Sequence, residues 1–310
     1  MTTEPGAVIP ARDPDIPPQA GAAHAPDRIV ASPDGVPIAL FDSGLPVHAT
    51  EEPTVVLVHG TTADHTTFRA FAPVLGLARR IVAIDRRGRG ASGDGRGDYA
   101  IEQEYDDLAA VAHTLATLEG RPVDVFGHSY GGRVALGAAL RSSDIRRIVV
   151  YEGAPPVAGR PYRPAGLERD VRRHLAEGDG GAALDAFFRR VVGMDDAAIA
   201  AYRANPVWPL RVAAAPTLLR ELEAEGSPAA SIEALGGVTC PTLLVLGTAS
   251  RPPFHAATDA LAARLPHPSV LQIEGAAHAA HLTHVPELAL GVEAFLAADL
   301  DPGPRLPSAP

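Results

Sequence analysis

Short, mostly apolar runs punctuate this chain, and each stops at a glycine or a polar residue. They are Thr54-Val-Val-Leu-Val-His59, Ile81-Val-Ala-Ile-Asp85, Val123-Asp-Val-Phe126, Ile148-Val-Val-Tyr151, Leu243-Leu-Val-Leu246 and Val270-Leu-Gln-Ile273. Runs this short and this apolar suit strands buried on both faces. Helical patterns lie between them. Ile101, Tyr105, Leu108, Ala112, Leu115 and Leu118 recur every three or four residues, which predicts one apolar face of a helix. The stretch from Tyr130 to Leu140 is small and helix-friendly. Strand–helix alternation of this kind predicts an α/β fold, a mostly parallel central sheet flanked by helices.

The alternation fails from Pro156 to Leu235, which is rich in arginine and alanine and shows helical spacing without a clear strand. Residues 156–235 are therefore expected to form a helical cap over a core built from residues 28–155 and 236–300. Residues 1–27 carry Pro5, Pro10, Pro14, Pro17, Pro18 and Pro26 and few branched apolar or aromatic residues. Such a segment cannot bury enough to offset its ordering entropy, so a flexible arm is expected there, and a loose tail over 301–310. The arm lacks the apolar centre of a signal peptide, so the protein is expected to stay in the cytoplasm.

Composition removes several function classes. The chain of 310 residues has a formal net charge of −10, which argues against a protein that grips nucleic-acid phosphates. No stretch is long and apolar enough to span a membrane. Cys240 is the sole cysteine, so neither an intrachain disulfide nor a cysteine metal cluster can form. All 27 basic residues are arginine, which excludes chemistry built on a lysine amine.

The strongest chemical signal is Gly127-His128-Ser129-Tyr130-Gly131, which ends one predicted strand and opens a predicted helix. In that context G-x-S-x-G puts a serine on a strained strand-to-helix turn beneath a helix N-terminus. Upstream, His59-Gly60-Thr61-Thr62 follows a predicted strand. A loop there can offer a backbone N–H to an oxyanion, from Thr61 first and Thr62 second, paired with the N–H of Tyr130. His59 itself reads as a structural hydrogen-bonding residue. Asp85-Arg-Arg-Gly-Arg-Gly-Ala-Ser92 lacks the Gly-Lys-Ser/Thr of a phosphate loop and reads as a tight, glycine-dependent turn. Finally, Gly275-Ala-Ala-His278 puts an imidazole in the loop after a late strand. A serine hydroxyl needs such a base to become a nucleophile. His281 and His284 read as packing or surface residues.

Taken together, His59-Gly60, Asp85-x-x-Gly88-x-Gly90-x-Ser92, Gly127-x-Ser129-x-Gly131 and Gly275-x-x-His278 resemble the α/β-hydrolase fold superfamily, in the family's order and over residues 28–299. The resemblance implies a serine nucleophile, a helical cap after the strand that follows the nucleophile helix, and no metal or organic cofactor. It also implies an aspartate in the loop after Leu243–Leu246, yet Gly247-Thr-Ala-Ser-Arg-Pro-Pro-Phe254 has no carboxylate. Some family members carry the acid at the end of the preceding strand, where this chain has Glu152; Asp259 is the rival. The expected triad is Ser129, His278 and Glu152, acting on an ester, thioester or lactone of a small organic molecule. Phe187 and Trp208 are candidate pocket residues, with Phe188, Met194 and Tyr202 as further apolar residues of the cap. Two other readings use the same scaffold: a lyase or cyclase with His278 as base, and a binding protein without chemistry.

Overall fold

The computed structural model describes residues 25–44, 52–77 and 79–299. The arm expected over 1–27 lies almost wholly outside the described residues, and the tail over 301–310 wholly so. Eight strands form one sheet: β1 Arg28–Ala31, β2 Pro37–Asp42, β3 Val55–Val58, β4 Ile81–Ile84, β5 Val123–His128, β6 Ile145–Tyr151, β7 Thr242–Gly247 and β8 Pro268–Ile273. Their spatial order is β1-β2-β4-β3-β5-β6-β7-β8. From β4 to β8 every pairing is parallel, while β1 and β2 add an antiparallel edge. That edge was not expected from the sequence. β1 exposes three of its four residues, so it lacks the apolar run that marks a buried strand.

Among the described residues twelve α-helices accompany the sheet: α1 Phe71–Leu75, α2 Ile101–Glu119, α3 Tyr130–Ala139, α4 Leu167–Ala176, α5 Gly180–Phe187, α6 Asp196–Arg203, α7 Trp208–Ala214, α8 Pro216–Ala224, α9 Ile232–Leu235, α10 Pro252–Ala262, α11 Ala280–Thr283 and α12 Val285–Ala297. One core cluster joins the sheet to α2, α3 and α10, and a second joins its other face to α1 and α12. The strands β3, β4, β5 and β7 are consequently buried along their whole length. β8 departs from the expectation of two covered faces, because it is the sheet's other edge and leaves Val270 52% exposed.

α2 shows how sequence makes an element here. Ile101, Tyr105, Leu108, Ala112 and Leu115 are buried on one stripe. Ala100 has no side chain to cap the helix, and Gln103 Oε1 instead accepts the Ala100 N–H at 3.1 Å. Gly120 ends the helix in the left-handed region at φ 68°. Leu118, expected on the buried stripe, is 56% exposed, because at 3.6 residues per turn it falls to the side of that stripe.

Between β6 and β7 the chain contributes no strand to the sheet and forms α4 to α9. α4, α5, α7 and α8 pack on one another, whereas α9 packs on α3 and α10. The helical layer over the sheet thus consists of α4–α8, and the last residues of the expected 156–235 segment already belong with the core helices. No helix among the described residues is long and apolar enough to cross a membrane.

Candidate active site

Register alone brings four loops together. Val58 of β3 pairs with Gly127 of β5, His128 with Tyr151 of β6, and Tyr151 with Val245 of β7. The residues that follow these strand ends therefore emerge side by side, where open α/β sheets gather their ligands. Those after β3, β5 and β6 line one cavity, together with side chains from α5, α8, α10 and the turn between α5 and α6. Thr61, Ser129, Tyr130, Glu152, Phe187 and His278 all face it. Two expected residues do not. The Trp208 ring meets Tyr202 edge-on at 5.7 Å and lies 5.5 Å from the Arg203 guanidinium, so it serves the packing of α6 on α7. Thr62 is buried beside the cavity with its hydroxyl on the Thr61 carbonyl.

Ser129 sits between β5 and α3 at φ 55° and ψ −122°. Its N–H is held by Tyr151 O at 2.8 Å, and its own carbonyl accepts the Gly132 N–H at 2.9 Å. Only glycine fits at 131, where a Cβ would stand 2.3 Å from Val58 O. Among the described residues, only Thr62, Ser129 and Glu152 are non-glycine residues with positive φ, at 58°, 55° and 47°. All three flank the same cavity, and such backbone costs about 1–3 kcal/mol apiece.

Glu152 Oε2 lies 2.7 Å from His278 Nδ1, with the carboxylate fully buried and the imidazole mostly so. Glu152 Oε1 accepts from the Gly247 N–H at 2.9 Å and from Ser250 Oγ at 2.5 Å. The carboxylate is thus satisfied on both oxygens, as a buried charge must be. Phe254 stacks on the imidazole at 4.7 Å. Neither the Thr61 nor the Tyr130 N–H has an acceptor among the described residues. Asp259 is exposed on α10 and plays no part here.

Several residues of the site carry no signal in the sequence that points to them. His128 Nε2 meets the His278 carbonyl at 2.8 Å and so holds the histidine loop by its backbone. Tyr151 donates to Ala277 O and accepts from the Ala280 N–H, gripping the same loop. Burial, with the other histidines nearby, pushes the His128 pKa well down, and burial brings His281 to about 3. Both rings are therefore neutral at pH 7. Arg133, Tyr162, Glu221, Leu222, Glu225 and Phe254 complete much of the lining. Their partners come from distant segments, so no local motif marks them.

The Asp85–Ser92 loop is more than the tight turn expected from its glycines. Gly88 and Gly90 do adopt positive φ, and a Cβ on Gly90 would overlap the Asp85 carboxylate at 1.9 Å. The three arginines of the loop, Arg86, Arg87 and Arg89, are buried and paired. Arg86 takes Glu104 through two nitrogens at 2.6 and 2.8 Å and Glu221 at 2.6 Å, while Arg87 takes Asp107. Among the described residues no group of three His, Cys, Asp or Glu side chains is placed to hold a metal ion.

A mostly parallel sheet with a serine on the turn after a central strand, beside a histidine–carboxylate pair, is the α/β-hydrolase architecture. Residues 55–289 match the model of the alpha/beta hydrolase family, and the chain belongs to that family. It is 38% identical over 172 residues to a probable oxidoreductase EphD of Mycobacterium tuberculosis, a match covering 50% of this chain and 27% of that protein's length. It is 27% identical over 263 residues to a pimeloyl-[acyl-carrier protein] methyl ester esterase of Xanthomonas campestris, covering 79% of this chain and 96% of the esterase. Among solved structures, an alpha/beta hydrolase from Sphaerobacter thermophilus superposes with a TM-score of 0.71 at 31% identity, over 85% of this chain and 99% of that one.

Proposed function

We propose that the protein is a serine hydrolase that cleaves an ester, thioester or lactone of a small organic molecule through an acyl-enzyme. The observation that carries this reading is the buried Glu152–His278 contact of 2.7 Å on the wall of the cavity that Ser129 lines. Glu152 orients the imidazole and fixes the proton on Nδ1, which leaves Nε2 as the base. Ser129 Oγ attacks the substrate carbonyl as Nε2 takes its proton. The tetrahedral oxyanion is held by the N–H groups of Thr61 and Tyr130. The C–O or C–S bond to the leaving group then breaks, and the imidazolium returns the proton to it. Water repeats the cycle on the acyl-serine and frees the acid. The likeness to an ester-cleaving relative over 96% of its length supports the reaction class. α4–α8 act as a cap, and binding energy collected there from non-reacting parts of the substrate selects among acyl groups.

The test is labelling by a fluorophosphonate followed by mass spectrometry, with turnover of a p-nitrophenyl ester series. Wild-type protein is expected to gain one adduct on Ser129. Ser129→Ala is expected to fold, to stay unlabelled and to lose several orders of magnitude in rate. A Ser129→Ala protein with near wild-type turnover overturns the reading.

A further inference from the structure

Arg86 touches both backbone donors' surroundings at once. Its Nη1 donates to Gly60 O at 3.2 Å and to His59 O at 3.3 Å. Gly60 C=O and Thr61 N–H belong to one planar trans peptide, so the two bonds point to opposite sides of it. Holding the carbonyl from behind therefore fixes where the Thr61 N–H points. The same carbonyl lies 2.9 Å from His59 Nδ1, and His59 Nε2 accepts the Arg86 N–H at 3.0 Å. That pair of contacts sets the tautomer: Nδ1 carries the proton and donates. Burial, aided by the Arg86 charge, keeps the imidazole neutral so that this arrangement persists. On its other side the Arg86 guanidinium lies 4.6 Å from the centre of the Tyr130 ring, whose residue supplies the second N–H.

The geometry points to Arg86 as a positioning residue of the oxyanion hole, with Glu221 of α8 tying its setting to the helical layer above. The inference rests on the serine-hydrolase reading of the site. Glu104 holds the guanidinium from α2 and Glu221 holds it from α8. Arg89 shares Glu221, so the contact is a buried network rather than a lone surface pair. A charge donating to a peptide carbonyl also polarises that peptide, which makes its N–H a stronger donor. When α8 is seated, Arg86 has its full set of acceptors and both donors are held. When α8 moves away, the guanidinium loses one anchor and the Thr61 peptide gains freedom. Docking of the helical layer and assembly of the oxyanion hole are thus one event.

The test uses Arg86→Lys and Glu221→Gln, each first checked for a cooperative thermal transition. Lysine keeps a cation beside Glu104 but lacks the planar fork that reaches two carbonyls and lies on the ring. Arg86→Lys is expected to lower kcat about tenfold to a hundredfold, below the loss on deleting an oxyanion donor outright, with KM within about twofold. Affinity for phenylboronic acid, which forms a tetrahedral adduct on the serine, is expected to fall by the same factor. The low-field His278 Nδ1 proton resonance is expected to stay in place, because the Glu152–His278 contact is untouched. Glu221→Gln is expected to show a smaller loss with the same kcat and boronate signature. A folded Arg86→Lys protein with unchanged kcat, or a loss confined to KM, overturns the inference. If Arg86→Lys does not fold, the same criteria applied to Glu221→Gln decide. Wild-type protein that takes no fluorophosphonate on Ser129 would sink the hydrolase reading itself, which is a separate outcome.

Discussion

Ser250 donates its hydroxyl to Glu152 Oε1 over 2.5 Å, from the loop after β7 that has no carboxylate of its own. The Gly247 N–H, at the end of β7, donates to the same oxygen. Glu152 stands one strand earlier than the acid of the commonest family pattern, yet the loop after β7 still holds its carboxylate. The carboxylate reaches His278 from β6 while its second oxygen is fixed from β7.

Glu152→Gln removes the charge and keeps the shape. Turnover is expected to fall on the order of a hundredfold or more, as loss of the orienting carboxylate does in other triads. Asp259→Asn, on the exposed side of α10, is expected to leave kcat/KM unchanged. Steady-state kinetics on one activated ester checks both, and the reverse pattern would reassign the acid.

Phe187 and Trp208 are expected to separate. Phe187 faces the cavity and Trp208 does not. Phe187→Ala should change the ranking of acyl chain lengths more than it lowers the best rate. Trp208→Ala should keep the ranking and lower stability by about 1–2 kcal/mol, an ordinary cost for losing a half-buried ring. A chain-length series and a denaturant melt read the two effects.

Acid is expected to destabilise the fold through histidines other than His278. His59 and His128 have pKa values pushed well below 6.5 by burial, and His281 is brought to about 3. In the unfolded chain these rings titrate near 6.5, so below that pH the unfolded state binds more protons. Their contribution is therefore complete above about 6.5 and is lost as the pH falls from there towards 3. Each ring contributes a slope of about 1.4 kcal/mol per pH unit in that window. The melting temperature should drop between pH 7 and pH 5, and His281→Phe should make the drop shallower. An equally steep drop in that variant would remove His281 from the account.

Gly131→Ala is expected to cost about 3 kcal/mol or more. The added Cβ would meet the Val58 and His59 carbonyls at 2.3 and 2.5 Å, and neither strand-end carbonyl can swing aside as a side chain could. Thermal melts compared with Ala135→Gly, inside the same helix, separate the clash from a propensity effect, which is only about 1 kcal/mol.

The parallel part of the sheet was legible because its strands are buried on both faces, and burial writes itself as unbroken apolar runs such as Val55–Val58. β1 was not, since an edge strand that exposes Arg28, Ile29 and Ala31 needs no such run. Ser129 and His278 were singled out because each stands in a loop after a strand, and the structure brings both to one cavity. Glu152 was inferred by the lack of a carboxylate between Gly247 and Phe254. Arg86 was read as part of a turn because its significance lies in Glu104, Glu221 and the Gly60 carbonyl. Those partners are remote in sequence, and one sequence holds no local trace of them. Trp208 was misplaced for a related reason: helical spacing locates an aromatic on a helix but does not say whether it faces a cavity or a neighbouring helix.

Thr62, Ser129 and Glu152 hold positive φ at the rim of one cavity. Glycine at any of them would relax the backbone, and at Ser129 or Glu152 it would also delete a group that the proposed chemistry uses. A laboratory screen that rewards heat resistance alone would therefore drift towards erasing the reaction centre. Improvement under such a screen has to be sought elsewhere in the chain, with turnover measured in every round.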